Sequence, residues 1–386
     1  MDHLTKPYKR PILSELPVEA LGFLLIFCGF FGTMAHIMGG VNLIHTLMAT
    51  AYRLLMDTVF DLMAILVLTG ALSALLSEFG VVTLLNRLLA PIMEPLFGMP
   101  GAGAMGPITT YLSDNPAITT LAQDDGFRRC FSIPAYMALN NLSTSFGMGL
   151  VVSAFMLSLG TGMTIPVLAG NLGAVIGAIL STRLMLHYGK QHPAVLTRDI
   201  SPEKAAASVQ DTPGLGGRVL NAILRGGRSG VDMGLSMIPG VLVICTLVLL
   251  LTGGPGPDGS YTGAAFEGVP VLLWISEKLS GILCPLFGFS SPQVLSVPLT
   301  ATGSAGAAIS LMPKLLEQGL AGGCDVAVVT AMCMGFSGYL STQSTVISRM
   351  GMPQLAGKAM AFQTLSGLTA GIAAHIFYQL LTALFL

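Results

Sequence analysis

The chain has 386 residues, of which 53% are hydrophobic and 10% charged, and its formal net charge is −1. Soluble domains carry about 25% charged residues, so a mean hydropathy of +0.76 excludes an ordinary water-soluble enzyme. The lack of a basic excess also speaks against a nucleic-acid binder.

Charge-free runs point to a polytopic membrane protein. No Asp, Glu, Lys or Arg occurs in 20–52, 130–182, 233–257, 326–348 or 359–386. Each run exceeds the roughly 20 residues that cross the hydrocarbon as a helix. The 47 glycines and 22 prolines suit broken, closely packed membrane helices rather than plain rods. The six cysteines are scattered without a CxxC or Cys/His pattern, and read as packing residues.

In chain order, the N-terminal stretch lacks the short apolar core and cleavage site of a secretory signal. A first span is expected over 18–38 and a second over 58–76, with Asp57 and Asp61 near its start. In "VVTLLNRLLAPIMEPLF", residues 81–97, apolar residues fall at helical spacing with Arg87 and Glu94 on the polar side. This predicts an amphipathic helix lying at the interface.

Residues 98–123 are too short and broken for two crossings, and read as a helical hairpin that enters and returns. Its tip is "LSDNPAIT". Pro116 lacks an N–H and disfavours helix before it, so the chain should unwind near Ser113, Asp114 and Asn115. Free backbone N–H groups then sit at the start of the returning half-helix. Spans follow over 130–159, interrupted by "LNNLST", and over 165–186. The polar stretch 187–228 reads as a cytoplasmic loop with a short helix.

The pattern then restarts. Asp232 opens a span to 251, residues 269–287 are amphipathic with Trp274 and Lys278 suited to an interface, 288–322 is hairpin-like, and 326–348 and 359–386 are spans. "PLFGM" at Pro95 matches "PLFGF" at Pro285 at an offset of 190, which also sets "SDNPA" opposite "GSAGA". "NNLSTS" meets "GYLSTQ" further on. With the N-terminus in the cytoplasm and seven crossings, 15 of the 18 Lys and Arg residues become cytoplasmic, as the positive-inside rule requires.

The two halves then run in opposite directions. The expected fold is therefore all-α and polytopic, with about seven spanning helices, two re-entrant hairpins, two interfacial helices and inverted repeats. Its parts are an N-terminal segment and first span (1–54), a first repeat (55–186), the cytoplasmic loop (187–228) and a second repeat (229–386). Such repeats, with breaks at corresponding places, recur in secondary transporters, whose substrates bind between the breaks.

The breaks supply candidate ligands. Expected substrate-binding residues are Ser113, Asp114, Asn115, Asn140, Asn141, Ser304 and Gln343. Ser143, Thr144, Ser341 and Thr342 offer hard oxygen atoms to a coupling ion. Asn171 and Gln363 are further polar residues inside spans. "GMPGAGAMG" lacks the Gly-Lys-Ser/Thr ending of a phosphate loop, and no catalytic dyad, HExxH or paired acids occur in a span. No catalytic residue, metal site or resident cofactor is expected, and the chain does not read as an enzyme.

"LLNRLLAPIMEPLFGMPG" leading into "LSDNPA" resembles the nucleoside-recognition, or Gate, domain of spore-maturation membrane proteins. That domain is distantly related to concentrative nucleoside transporters. The resemblance covers about 55–160 and, less closely, 225–350, and it departs at the second tip, where "GSAGA" stands in place of Asp-Asn-Pro. It implies an elevator-type secondary transporter of the inner membrane, moving a nucleoside-like solute with Na⁺ or H⁺ as coupling ion and assembling as a homo-oligomer in the lipid bilayer. The alternative is a non-transporting receptor or assembly factor of the spore-maturation type.

Overall fold

The computed structural model describes residues 18–114, 117–122, 125–192, 214–256, 258–303, 305–337, 339, 343, 346–348 and 350–385. Every regular element among them is helical. The chain is an all-α polytopic membrane protein. Among the described residues, five helices are long and apolar enough to cross a membrane, or up to seven if each of two sharply bent pairs is one span.

Helix α1 (Val18–Met38) is apolar and largely exposed on its flanks, as a lipid-facing helix is. At Gly39 the chain turns directly into α2 (Gly40–Arg53), which runs through a π-helical segment (Leu54–Val59) into α3 (Phe60–Glu78). The second span was expected only from 58. The helix begins earlier because α2 is amphipathic, and its Leu43, Thr46 and Thr50 are buried.

Helix α4 (Val81–Phe97) leaves α3 at 77°, which suits the interfacial placement predicted from its apolar stripe. Short elements follow: a 3₁₀ turn (Gly101–Ala104), α5 (Met105–Leu112), α6 (Ala117–Ala122) and α7 (Asp125–Arg128). Then come α8 (Ile133–Thr144), α9 (Gly149–Ser158) and the long α10 (Thr164–Gln191).

The same series recurs. Helix α11 (Leu215–Pro239) passes through a second π-helical segment (Gly240–Cys245) into α12 (Thr246–Thr252). Helix α13 (Val271–Phe287) leads to a 3₁₀ turn (Pro292–Leu295), α14 (Ser296–Ala301), α15 (Ala305–Ile309) and α16 (Met312–Glu317). Helices α17 (Gly323–Phe336) and α18 (Ala356–Phe385) close the chain. The polar stretch 187–228 is thus less of a loop than expected: α10 continues to Gln191 and α11 starts at Leu215.

The recurrence is geometric as well as sequential. Both "PLFG" motifs end their helix on a left-handed glycine, Gly98 at φ 68°, ψ 23° and Gly288 at φ 69°, ψ 26°. Each glycine N–H closes the last turn, onto the Glu94 and Cys284 carbonyls respectively. Both motifs are followed by a 3₁₀ turn and a broken pair of short helices. Elements of the two halves also pair with each other: α3 of the first with α11 of the second, α10 with its counterpart α18, and one π segment with the other.

Helices in a bilayer gain little from apolar burial against one another and instead approach closely through small residues. A Cβ at Gly70 would meet the Gly226 carbonyl oxygen at 2.5 Å, and one at Gly230 would lie 2.7 Å from the Val67 Cα. Gly173 and Gly177 play the same part on α10, against Ala370, Ala374 and Ser366 of α18.

The base of the second hairpin hangs on one carboxylate. Asp325, fully buried on α17, accepts from Ser290 N at 2.9 Å, Ser290 Oγ at 2.5 Å and Gly322 N at 2.7 Å. Asp325→Ala leaves those donors without acceptors and is expected to cost about 3 kcal/mol, read as a lower unfolding midpoint in detergent. Asp325→Asn, which keeps one acceptor oxygen, is expected to recover part of it.

Candidate substrate site

Helix α8 carries four of the candidate residues, Asn140, Asn141, Ser143 and Thr144. Ser132 caps it, its Oγ accepting from Ala135 N, and Pro134 lies in the first turn. Ala135 to Thr144 are all buried. The helix stops at Thr144, and the chain turns through 145–148, with Met148 at φ 55°, before α9 begins. The interruption expected at "LNNLST" is therefore displaced: that stretch is helical, and the break follows it at 145–148.

The first hairpin secures this break. Thr110 of α5 donates its Oγ1 to the Ser143 carbonyl at 2.8 Å, and its own carbonyl accepts from Met148 N at 3.2 Å. Tyr111 lies where any Cβ of Gly149 would sit. Its hydroxyl donates to Asn171 Oδ1 at 2.9 Å and lies 3.3 Å from Ser153 Oγ, while Asn171 Nδ2 donates to Ser153 at 3.0 Å. Hairpin, broken helix and α10 thus share one polar clasp. Tyr111→Phe is expected to cost about 1 kcal/mol of stability, seen in unfolding midpoints, with a larger fall in solute affinity because the hairpin loses its register on α8.

Side chains along α8 divide sharply. Asn141 Nδ2 donates to the Ala359 carbonyl at 2.9 Å and to Gln363 Oε1 at 3.4 Å. Gln363 Nε2 donates to the Gly335 carbonyl at 2.8 Å and to Ser145 Oγ at 3.2 Å. Ser145 in turn lies within hydrogen-bonding distance of Ser366 and Ser181. This network joins α8, α10, α17 and α18. Thr144 Oγ1 is occupied by its own helix, donating to the Asn140 carbonyl at 2.8 Å.

Other groups have no partner among the described residues: both amide atoms of Asn140, Asn141 Oδ1, Ser143 Oγ and both amide atoms of Gln343. All four residues are 0% exposed. Buried polar atoms are normally paired, and each exception calls for an explanation. Here four predicted site residues hold six such atoms. The segment bearing Gln343 shares a core with α8 and the first hairpin: Val346, Ile347 and Met350 cluster with Leu139, Leu142, Ile108 and Ile118.

Ser113, where α5 ends, lines a cavity of about 240 Å³ with Thr69 and Ser73 of α3 and Arg225 and Ser229 of α11. Asp114 follows it out of the helix, its carbonyl accepting from Ala117 N at 3.0 Å. At the second hairpin, a Cβ on Gly303 would lie 2.9 Å from Ile244 Cδ1, and Cys245 Sγ donates to the Ala307 carbonyl at 3.0 Å. That tip therefore rests on the second π segment. Asn115, Ser304, Ser341 and Thr342 lie outside the described residues.

Sequence reasoning placed Asn171 and Gln363 inside spans without assigning them partners. It missed Tyr111, Ser145, Ser181 and Ser366. A tyrosine beside a predicted hairpin tip was the one available signal.

No family model matches the chain, and no curated protein matches it. Solved structures do. The concentrative nucleoside transporter CNTnw in an inward-facing substrate-bound state aligns with a TM-score of 0.55 at 15% identity, over 93% of this chain and 86% of that one. A variant of CNTnw in an intermediate 2 state gives 0.57 at 16% identity, over 92% and 81%. An outward-facing variant gives 0.52 at 15%, over 94% and 85%. The chain has the fold of a concentrative nucleoside transporter.

Proposed function

We propose that the chain is a secondary transporter of a small, uncharged polar solute, nucleoside-like in its hydrogen-bonding groups. The observation that carries this reading is the set of six buried polar atoms on Asn140, Asn141, Ser143 and Gln343 that have no partner among the described residues. Leaving a buried donor or acceptor unmade costs about 1–3 kcal/mol. A solute offering both donors and acceptors removes that cost when it binds. Amides and hydroxyls, without a charge, suit such a solute.

Coupling to Na⁺ or H⁺ fits the oxygen-rich surroundings, with Ser143, Thr144, Ser341 and Thr342 as ion ligands and Ser113, Asp114, Asn115 and Ser304 completing the solute site from the two tips. The likeness of "LSDNPA" to nucleoside-recognition domains supports the solute class. The halves are read as inverted repeats. The paired α3 and α11 form a scaffold, past which α8, α17 and the hairpins move as an elevator on the tilted α4 and α13. A homo-oligomer of the inner membrane with a cytoplasmic N-terminus completes the reading.

A thermal-shift screen of nucleosides, nucleobases, amino acids and carboxylates, with and without Na⁺, tests it. A solute at a hundred times its Kd adds about 2.7 kcal/mol of stability, which is readily seen. Stabilisation by a nucleoside or nucleobase is expected. A screen in which only charged solutes act would sink the proposed solute class.

A further inference from the structure

The loop between α12 and α13 is rich in glycine, yet it is folded onto itself. Glu267, 6% exposed, gathers it: the carboxylate accepts from Thr262 N at 3.0 Å, Thr262 Oγ1 at 2.7 Å and Gly263 N at 2.9 Å. The Tyr261 hydroxyl donates to the Gly268 carbonyl at 3.2 Å.

This loop is tied to the first half of the chain. Asn42 of α2 donates its Nδ2 to the Tyr261 carbonyl at 2.8 Å. Thr50 of the same helix accepts from Phe266 N on its Oγ1, also at 2.8 Å. The Tyr261 ring packs with Met34, Met38 and Leu43 of α1 and α2.

From the anchored loop, Phe266 reaches the second hairpin. It is one of two non-glycine residues with positive φ among the described residues, at 69°. A side chain is strained there, and persists only where its surroundings impose the conformation. Here Thr50 fixes the Phe266 N–H, and the Phe266 carbonyl oxygen lies 2.5 Å from where a Cβ of Gly253 would sit. The ring is thereby delivered to Lys314 of α16, whose Nζ is 3.9 Å from the ring centre. Lys314 forms no ion pair among the described residues. The ring also packs against the core cluster that holds Leu311 and Leu315.

Beside this contact, loop and hairpin are held apart. A cavity of about 460 Å³ lies between them, lined by Gly254 and Ala265 on one side and Ser296 and Gln318 on the other. A strained residue, a ring-to-ammonium contact and an adjoining cavity describe a joint that parts, not a closed core. We propose that Phe266 and Lys314 form a latch by which the α2-anchored loop holds the returning arm of the second hairpin. Engaged, it keeps α16 against the loop. Parted, it lets the arm open while α2 and the loop stay in place. The latch does not depend on the transport reading.

Hydrogen exchange on the full chain in detergent, read by mass spectrometry over 311–321, tests it, because amide exchange reports local opening. Lys314→Gln is expected to raise exchange there about tenfold, through loss of the contact with the ring. Phe266→Gly removes the ring and relieves the backbone, and should raise it at least as much. Exchange over α10 should not move in either variant. Adding Lys314→Gln to Phe266→Gly should have no further effect, since the two residues act through one contact. Thr50→Val, which frees the loop from α2, should raise exchange over 261–268 and 311–321 together. If Phe266→Gly does not fold, Lys314→Gln decides alone. The proposal is overturned if the folded variants leave 311–321 at the wild-type rate, if α10 speeds up equally, or if the two substitutions simply add.

Discussion

Asn140→Leu is expected to give a protein at least as stable as the wild type that binds its solute much more weakly. Both amide atoms of Asn140 are buried without partners among the described residues. Leucine has nearly the same shape and removes two unmade hydrogen bonds. Exchanging an unpaired buried polar group for an apolar one of the same shape is neutral or stabilising, by about 1–3 kcal/mol at most. A solute that uses the amide loses two contacts, so its affinity should fall by about 10- to 100-fold.

Asn141→Leu is the contrast, one residue away. Its Nδ2 is committed to the Ala359 carbonyl and Gln363, so the substitution leaves acceptors orphaned inside the bundle. It should lower the unfolding midpoint as well as the affinity. If Asn140→Leu also destabilises, the Asn140 amide has a structural partner and its place in the site is wrong.

The second large effect concerns the crossing of α3 and α11. Gly226→Ala is expected to destabilise the protein by about 3 kcal/mol, and Gly216→Ala, on the same helix, to stabilise it by about 1 kcal/mol. A Cβ at Gly226 would run into the Gly70 carbonyl oxygen and lie 2.6 Å from the Ala74 Cβ and 2.8 Å from the Ala71 Cα. These are backbone and first side-chain atoms that no rotamer moves, so α3 and α11 must separate along their whole contact. At Gly216 nothing lies within 4 Å, and only the higher helix propensity of alanine remains. Unfolding midpoints of the two variants against the wild type measure both signs. Equal effects at the two positions would contradict the close crossing.

Much of this architecture was legible because its signals are local. The charge-free runs marked the spans, and the apolar stripe of 81–97 marked a helix that leaves α3 at 77°. The "PLFG" repeat marked two glycine caps with nearly the same φ and ψ. "NNLST" marked a break only approximately: those residues end α8, and the turn follows at 145–148.

What stayed hidden depends on partners distant in the chain. Gly226 and Gly227 fall in the stretch read as a loop, because glycine weakens an isolated helix. Both are helical, and Gly226, with Gly230, leaves the room that α3 fills. The π segments carry no composition signal of their own, and the two lie against each other from opposite halves. Tyr111 looked like one more apolar residue until Asn171 and Ser153 were brought to its hydroxyl. In the site, sequence could nominate Asn140 and Asn141 together. Only the fold separates the one that holds the bundle from the one without a partner among the described residues.

Gradient-driven uptake in proteoliposomes tests the central claim most directly. A solute that stabilises the purified protein should accumulate under an inward Na⁺ or H⁺ gradient, stop accumulating when an ionophore collapses that gradient, and fail to accumulate with Asn140→Leu. A wild-type protein that binds the solute yet moves none of it under either gradient, in either direction, would contradict transport and leave a membrane receptor in its place.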